Sequence, residues 1–427
     1  MLFRNITIVD EFFKIQRNVN VVIKDDKIEY IGKDEPHHTS DIYDGSRKLL
    51  MPGFVNTHAH TPMTLMRGYC ENKVLADWLN NYIFPFEDKM TEQDVYNGMM
   101  LGIAESLRFG IVSTTDMYFK CDKMCEAAIN TNTKLNISDG MVCFDNGDLK
   151  DNNAYRETEK MLLNYNRSNG EKIIVDASIH GEYTSNPEIV AQMVEYAKIN
   201  KINMHLHLSE TKSEHDDCVK RRGKTPAQYF NDLGAFDLNT TAAHCVHITD
   251  NDIDILKNKN VTAASNPVSN LKLASGVAPV AKMIEKGVNV SIGTDGMASN
   301  NNLNILEDIK IFAILHKGIN YDPCLISPAE AIKSATYNGS KAQGRHDCGL
   351  IKAGYKADLI VVDTDKPYYY PEHDALNNLV YSGVGTDICL TMVDGKILYQ
   401  DGEYTTLDIE KIKYDAEISV KNILDKL

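Results

Sequence analysis

Apolar and polar residues alternate at both ends of the chain. Asn20-Val21-Val22-Ile23, a turn at Asp25-Asp26 and Lys27-Ile28-Glu29-Tyr30-Ile31-Gly32 predict short strands within residues 1–52. Ala357-Asp358-Leu359-Ile360-Val361-Val362 and Thr391-Met392-Val393 have the same character. Asp394-Gly395 before Lys396-Ile397-Leu398-Tyr399 is a two-residue hairpin signal. These strand-rich ends, expected to lack helices of their own, predict one small β domain, because chain termini often lie close together. The closing stretch, Leu407 to Leu427, has helical spacing and is expected to pack on the rest of the protein or on a partner subunit.

Between the ends the period changes. Apolar stretches near Gly53–His60, Ile111–Met117, Lys134–Met141, Lys172–His180, Ile202–Glu210, Thr240–His247, Val261–Pro267 and Val288–Gly296 alternate with helical ones. The helical ones include Gly98–Phe109, Pro187–Asn200 and Val277–Lys286, with Pro187 and Pro279 near helix starts. Eight strand–helix pairs predict an α/β fold of the closed (β/α)8 TIM-barrel type over residues 53–346. A doubly wound open sheet is the alternative, because periodicity does not report closure.

With 43% hydrophobic and 25% charged residues, the 427-residue chain can bury a sizeable core. Sixty Asp and Glu against 45 Lys and Arg give a formal charge of −15, which argues against a nucleic-acid partner. Nine cysteines without a CxxC pair suit reduced thiols. Neither a membrane-length apolar run nor a signal-peptide pattern is present, so a cytoplasmic protein without membrane contact is expected. Assembly into a homo-oligomer stays open.

Seven of the thirteen histidines (58, 60, 180, 205, 207, 244, 247) fall near the C-terminal ends of the predicted strands, where a barrel builds its active site. His58-Ala59-His60 puts two imidazoles on one strand face. Alone, such a pair is as well read as two ordinary polar residues. His207 in His207-Leu208-Ser209-Glu210, His244 in Ala242-Ala243-His244-Cys245 and Asp295 in Gly293-Thr294-Asp295-Gly296 strengthen it. Three neutral imidazoles and a carboxylate suit one zinc or similar divalent ion with a position left for water, whose pKa then falls to about 7. Spacing alone does not choose between His205 and His207, which share a strand face.

Pro52-Gly53-Phe54-Val55-Asn56-Thr57-His58-Ala59-His60, Ala242-Ala243-His244-Cys245-Val246-His247, Ser265-Asn266-Pro267-Val268-Ser269-Asn270-Leu271-Lys272 and Gly293-Thr294-Asp295-Gly296, followed by Ser299-Asn300-Asn301, resemble the amidohydrolase superfamily. Within it the chain is similar, over nearly its whole length, to the methylthioadenosine/S-adenosylhomocysteine deaminase branch. The resemblance implies a barrel flanked by a β-sandwich made from 1–52 and 347–427, and hydrolytic loss of ammonia from the adenine C6 of a small-molecule nucleoside. It assigns His58, His60, His207 and Asp295 to one metal, zinc first, with iron and manganese accepting the same ligands. His244 and Asp295 would orient the water and take its proton. Glu210, three residues after His207, would protonate the ring nitrogen and then the leaving ammonia. His205 would be a core histidine one layer deeper, and His247 a loop residue. Lys172–His180 has no lysine near its C-terminal end, where many relatives with two metals carry a bridging one; this favours a single ion.

For the substrate, the resemblance implies that Glu87 binds the ribose hydroxyls, that Trp78 packs over the sugar or thioether, and that His180 touches the nucleoside. By composition alone Trp78 reads equally as core and Glu87 as a surface charge. One departure is Ser138-Asp139-Gly140, where relatives that handle the homocysteine carboxylate can carry arginine before the glycine. Asp139 would repel that carboxylate, with Arg156 as partial compensation. The expectation is therefore a preference for uncharged 5′ substituents, as in methylthioadenosine, over S-adenosylhomocysteine. Guanine or cytosine deamination and triazine dechlorination would use the same metal cage. An assembly scaffold without activity is the alternative from another class.

Overall fold

Residues at the two ends pair edge to edge. The computed structural model describes residues 1–34, 41–144 and 147–427. Lys48–Pro52 runs antiparallel to Leu359–Asp363, with Leu50 opposite Val361. They sit mid-way in a nine-stranded sheet that continues through Leu2–Val9, Ile15–Lys24 and Lys27–Gly32 on one side, and through Ile388–Val393, Lys396–Gln400 and Glu403–Tyr404 on the other. Ile42–Asp44 pairs off this path with Leu2–Val9. Side chains alternate between two apolar surfaces. Leu50, Leu359 and Val361 join Phe3, Ile6 and Val21, whereas Leu49, Met51, Ile360 and Val362 join the core of the central region. These strands are therefore apolar on both faces, and burying each aliphatic side chain contributes about 1.5–3 kcal/mol. Asp394 and Gly395 both have positive φ (45° and 72°), as the predicted hairpin requires.

The central strands are parallel and fall into two five-stranded sheets. One contains Phe54–His60, Ile111–Tyr118, Lys134–Asp139 and Ile173–Val175, and begins at Asp295–Gly296, which pairs with Ala59 and His60. The other runs from Ala177–Ile179 through Met204–Leu208, Thr240–His244 and Thr262–Ser265 to Asn289–Ile292. The fourth predicted strand is thus divided at Asp176 and the eighth at Gly293-Thr294. At each division the chain changes neighbours. The Asp176 carboxylate accepts from Asn136 Nδ2 at 3.0 Å and Asn203 Nδ2 at 2.7 Å, one on each side of the break.

Pro187–Asn200 forms a helix with the predicted bounds, capped by the Asn186 side chain. Two expectations need correcting. The helix expected over Val277–Lys286 spans only Val280–Glu285, with Pro279 at its N-cap. The C-terminal strand region also has a helix of its own, Ala375–Tyr381, whose Ala375, Leu376, Leu379 and Val380 pack into the central core. The closing helix, Ile409–Leu424, buries Ile412, Ala416, Ser419 and Ile423 on one stripe. Ser419 Oγ accepts from Asn97 Nδ2 at 3.0 Å, which fixes this helix against Glu92–Arg108. Among the described residues no helix is long and apolar enough to cross a membrane.

Candidate active site

Each of the four predicted metal ligands, and His244, predicted to face the water, stands at or just beyond the C-terminal end of a central strand. His58 and His60 lie on Phe54–His60, His207 on Met204–Leu208, His244 ends Thr240–His244, and Asp295 starts Asp295–Gly296. His244 and Asp295 have φ of 72° and 63°, a left-handed backbone that L-residues adopt rarely and that turns their side chains where regular strands would not. The pleat explains the pairing of His58 with His60, whose rings are 4.9 Å apart.

Ligand atoms of His58, His207 and His244 lie within 4.8 Å of one another, and so do those of His58, His60 and Asp295. Asp295 Oδ1 stands 3.4 Å from both His58 Nε2 and His60 Nε2. The other ring nitrogen of each ligand histidine is engaged. His60 Nδ1–H donates to the Met117 carbonyl at 2.5 Å, His207 Nδ1–H donates to the His180 carbonyl at 2.6 Å, and His58 Nδ1 shares a proton with His205 Nε2 at 3.0 Å. These contacts leave the Nε2 atoms free, and the ligand atoms gather as two triads joined through His58. His205 accordingly lies behind His58, in the layer below. His247 belongs to the loop after its strand, where Nε2–H donates to the Ser275 carbonyl at 2.7 Å.

Burial holds His58 down to about 3, against the pull of Asp295. It also holds His207 well below 6.5, helped by the neighbouring His180. Both rings are therefore neutral, as metal ligands must be. Burial works against the charge of Asp295, but His58 at 3.4 Å and the field of His244 outweigh it, and the carboxyl stays well below its usual range. At His244 burial is likewise overcome, by the charges of Glu210 and Asp295 and by the Asn270 hydrogen bond, so its pKa is raised. Glu210 Oε2 faces His244 Nε2 at 3.9 Å, while Glu210 Oε1 accepts from Ser275 Oγ at 3.3 Å.

The amidohydrolase family pattern matches residues 49–398. The chain belongs to the amidohydrolase family. It is 37% identical, over all of both chains, to the 5-methylthioadenosine/S-adenosylhomocysteine deaminase of Thermoanaerobacter pseudethanolicus. It is 39% identical to the 5'-deoxyadenosine deaminase of Methanocaldococcus jannaschii, over 96% of this chain and 98% of that one. Among solved structures, an adenosine deaminase from Xanthomonas campestris with bound zinc superposes with a TM-score of 0.93 at 26% identity, over 99% of this chain and 98% of that one. The fold of this amidohydrolase is thus α/β of the TIM-barrel type.

The donor set fits the metal dependence of the family. His58 Nε2 is buried, has no hydrogen-bond partner and points at Asp295 Oδ1. A cation bound there would take up that lone pair, whose burial otherwise costs about 1–3 kcal/mol.

The residues predicted to touch substrate are spread more widely. Burial lifts Glu87 to about 7, against the Tyr118 hydroxyl and the His60 charge. It sits on the short helix Phe84–Lys89, near enough to Tyr118 for a hydrogen bond and to His60 to feel its charge. His180 rests 4.8 Å from the His207 ring, with its Nδ1 3.1 Å from Thr184 Oγ1. Trp78 is buried in an apolar cluster with Leu65, Met66 and Phe86. Asp139 ends its strand buried, its pKa raised to about 7 by burial and by Glu157. Arg156 lies exposed on the helix Asn153–Asn164.

Several residues of this amidohydrolase's site carry no predicted role. Glu214 accepts from the backbone N–H groups of Ser209 (2.9 Å) and Glu210 (2.7 Å) and so holds the Glu210 main chain. Ser269, Asn270 and Ser299 also reach the site. Three of these four lie inside the quoted motifs, and Glu214 follows Glu210 by one helical turn, a spacing that in hindsight is a signal.

Proposed function

We propose that this amidohydrolase removes the C6 amino group of 5′-modified adenosines by hydrolysis, giving ammonia and the inosine analogue. Full-length identity to deaminases of that substrate class supports the activity. The observation that carries the chemistry is Glu210, a carboxyl 3.9 Å from His244 at the rim of a converging His/Asp cluster. His58, His60, His207 and Asp295 would hold one divalent cation, zinc first, with iron and manganese accepting the same donors. When bound, the cation supplies a water acidic enough to serve as nucleophile near neutral pH.

The chain's own residues do the rest. His244 Nε2 and Asp295 orient the water and accept its proton, and the field of Glu210 and Asp295 on His244 favours that protonation. The Glu210 carboxyl donates its proton to purine N1 as C6 becomes tetrahedral. The resulting carboxylate takes the proton of the C6 hydroxyl and passes it to the amine, which leaves as ammonia with the C6–N electron pair, and the proton held by His244 returns to Glu210. Glu87 would accept the ribose hydroxyls, His180 would contact the nucleoside, and Trp78, now packed beneath the helical segment, would back the sugar. Asp139 stands where a substrate carboxylate would meet either repulsion or no partner, so an uncharged 5′ substituent is preferred.

The architecture belongs to the same reading. Continuity of the chain through Asp176 and through Gly293-Thr294 supports one eight-stranded barrel over 53–346, with both ends of the chain forming a β-sandwich beside it. Ammonia release from adenosine, 5′-deoxyadenosine, methylthioadenosine and S-adenosylhomocysteine, with metal analysis of the same sample, tests the function. About one metal per chain and release from the 5′-modified nucleosides are expected. Silence on all four substrates with metal present rejects it.

A further inference from the structure

We infer that the segment Asn266–Asn270 is a positioning device, in which Ser269 sets Asp295 and Asn270 sets His244 for their separate tasks. The inference rests on the metal and proton-transfer roles proposed above.

Ser269 Oγ donates to Asp295 Oδ2 at 2.5 Å, and Ser299 Oγ, with its one proton, lies 3.0 Å from both the same oxygen and the Gly296 carbonyl. The Gly296 N–H donates to Asp295 Oδ1 at 2.8 Å. Ser269 and Ser299 hold Oδ2 on the side away from the imidazoles, so Oδ1, which faces His58 and His60, is the oxygen turned toward a cation. The carboxylate is thereby prepared to bind through one oxygen instead of chelating through two.

One residue on, Asn270 Oδ1 accepts from His244 Nδ1–H at 2.8 Å. Shorter than the contact of Asn266 Nδ2 with the same atom, this hydrogen bond favours the neutral ring's proton on Nδ1 and leaves Nε2, the atom facing Glu210, free to accept one. Asn266 Nδ2 lies 3.2 Å from the same Nδ1, and its Oδ1 is buried without a partner. A side chain at Gly293 would collide with Asn266 Oδ1 and with His58, so the segment, the eighth strand and the first ligand are in direct contact. The frame is rigid: Asp308 accepts from the Val268 N–H and from Asn300 Nδ2, and Gly293 N–H donates to the Ser265 carbonyl. Ser269 and Asn270 are buried, on a short helix, Pro267–Lys272, whose Pro267 removes one donor that would otherwise need a partner.

The test reads zinc affinity and ring tautomer without substrate, so that its failure is distinguishable from failure of the deaminase reading. Titration of metal-stripped protein with zinc should show Ser269→Ala raising the dissociation constant about 10- to 100-fold, with Ser269→Thr restoring it to within about threefold. If Ser269→Ala does not fold, Ser299→Ala, which removes the other hydroxyl from the same oxygen, carries the same expectation. In ¹⁵N-histidine spectra of the metal-free protein, the Nδ1–H signature of His244, assigned by its loss in His244→Gln, should be absent in Asn270→Leu and kept in Asn270→Asp. In zinc-saturated protein Asn270→Leu should lower kcat about 10- to 100-fold at unchanged KM. Wild-type zinc affinity in the serine variants, or an unchanged His244 tautomer in Asn270→Leu, overturns the inference.

Discussion

Buried polar groups collect at both ends of the central strands, and the two collections are built on opposite rules. At the C-terminal ends, neutral imidazoles are held through one nitrogen and left bare at the other, as at His58 Nε2. At the N-terminal ends, where the terminal sheet docks, charges are matched inside the protein. Lys134 Nζ meets Asp358 at 2.5 Å and Asp394 at 2.7 Å, and Lys172 Nζ lies 3.3 Å from Asp394. Arg345 donates to the carbonyls of Glu171 and Lys172. Asp358 also accepts from the Asp394 N–H, and its carbonyl from the Gly53 N–H. The matched end joins two regions of the fold, whereas the unmatched end keeps donor atoms ready for a ligand. Burial therefore does not itself mark function, and neither does one unpartnered atom, since Asp122, Asn231 and Asn304 each bury such an oxygen; several donor atoms gathered at strand ends do.

The contrast breaks most visibly if a site ligand turns out to be dispensable. Asp295→Ala should reduce kcat/KM for ammonia release by about 10⁴-fold, while leaving the unfolding midpoint of the metal-free protein near wild type. Retained turnover would remove the cation from the account.

At the other end the sign of the readout reverses. Lys134→Met leaves Asp358 and Asp394 buried around a missing cation and should cost about 3–5 kcal/mol in denaturant unfolding, with kcat/KM per folded molecule unchanged. A neutral effect on stability would mean that the network is relaxed or hydrated.

Acid should separate the ends more gently. Burial lowers His180 from 6.5 to about 4 and His58 to about 3. Below pH 6.5 the unfolded chain protonates these two imidazoles while the folded chain refuses until the lower values, so they subtract stability as pH falls, whereas the raised carboxyls of Glu87 and Asp139 bind protons from about pH 7 downward and add it. The His180 shift alone corresponds to about 3 kcal/mol. Urea unfolding at stepped pH should show His180→Gln losing less stability than the wild type between pH 6.5 and 4, and equal slopes would place the His180 ring in contact with water.

The smallest effect concerns substrate choice. Methylthioadenosine should exceed S-adenosylhomocysteine in kcat/KM by about tenfold, or about 1.4 kcal/mol, and Asp139→Asn should narrow the gap. Equal values for the two nucleosides in the unmodified protein would remove Asp139 from the specificity argument.

The sequence by itself determined which residue types stand at strand ends, because a parallel strand is a short local run and its last residues can be read from period and punctuation. His58, His60, His207, His244 and Asp295 were all legible in that way, and the family motifs decided between His205 and His207. The pairing of the two chain ends was legible too, in short strand-like stretches at both termini; that their central strands are apolar on both faces was not. What only the tertiary structure decided is which atoms meet. The breaks at Asp176 and Gly293-Thr294, the hydroxyls of Ser269 and Ser299 on one Asp295 oxygen, and the pairing of Lys134 with Asp358 and Asp394 join residues far apart in the chain. No local period encodes such meetings, because they are set by how sheets and helices pack once apolar faces are buried. A lone pair left free in the interior is visible only after every other partner has been placed.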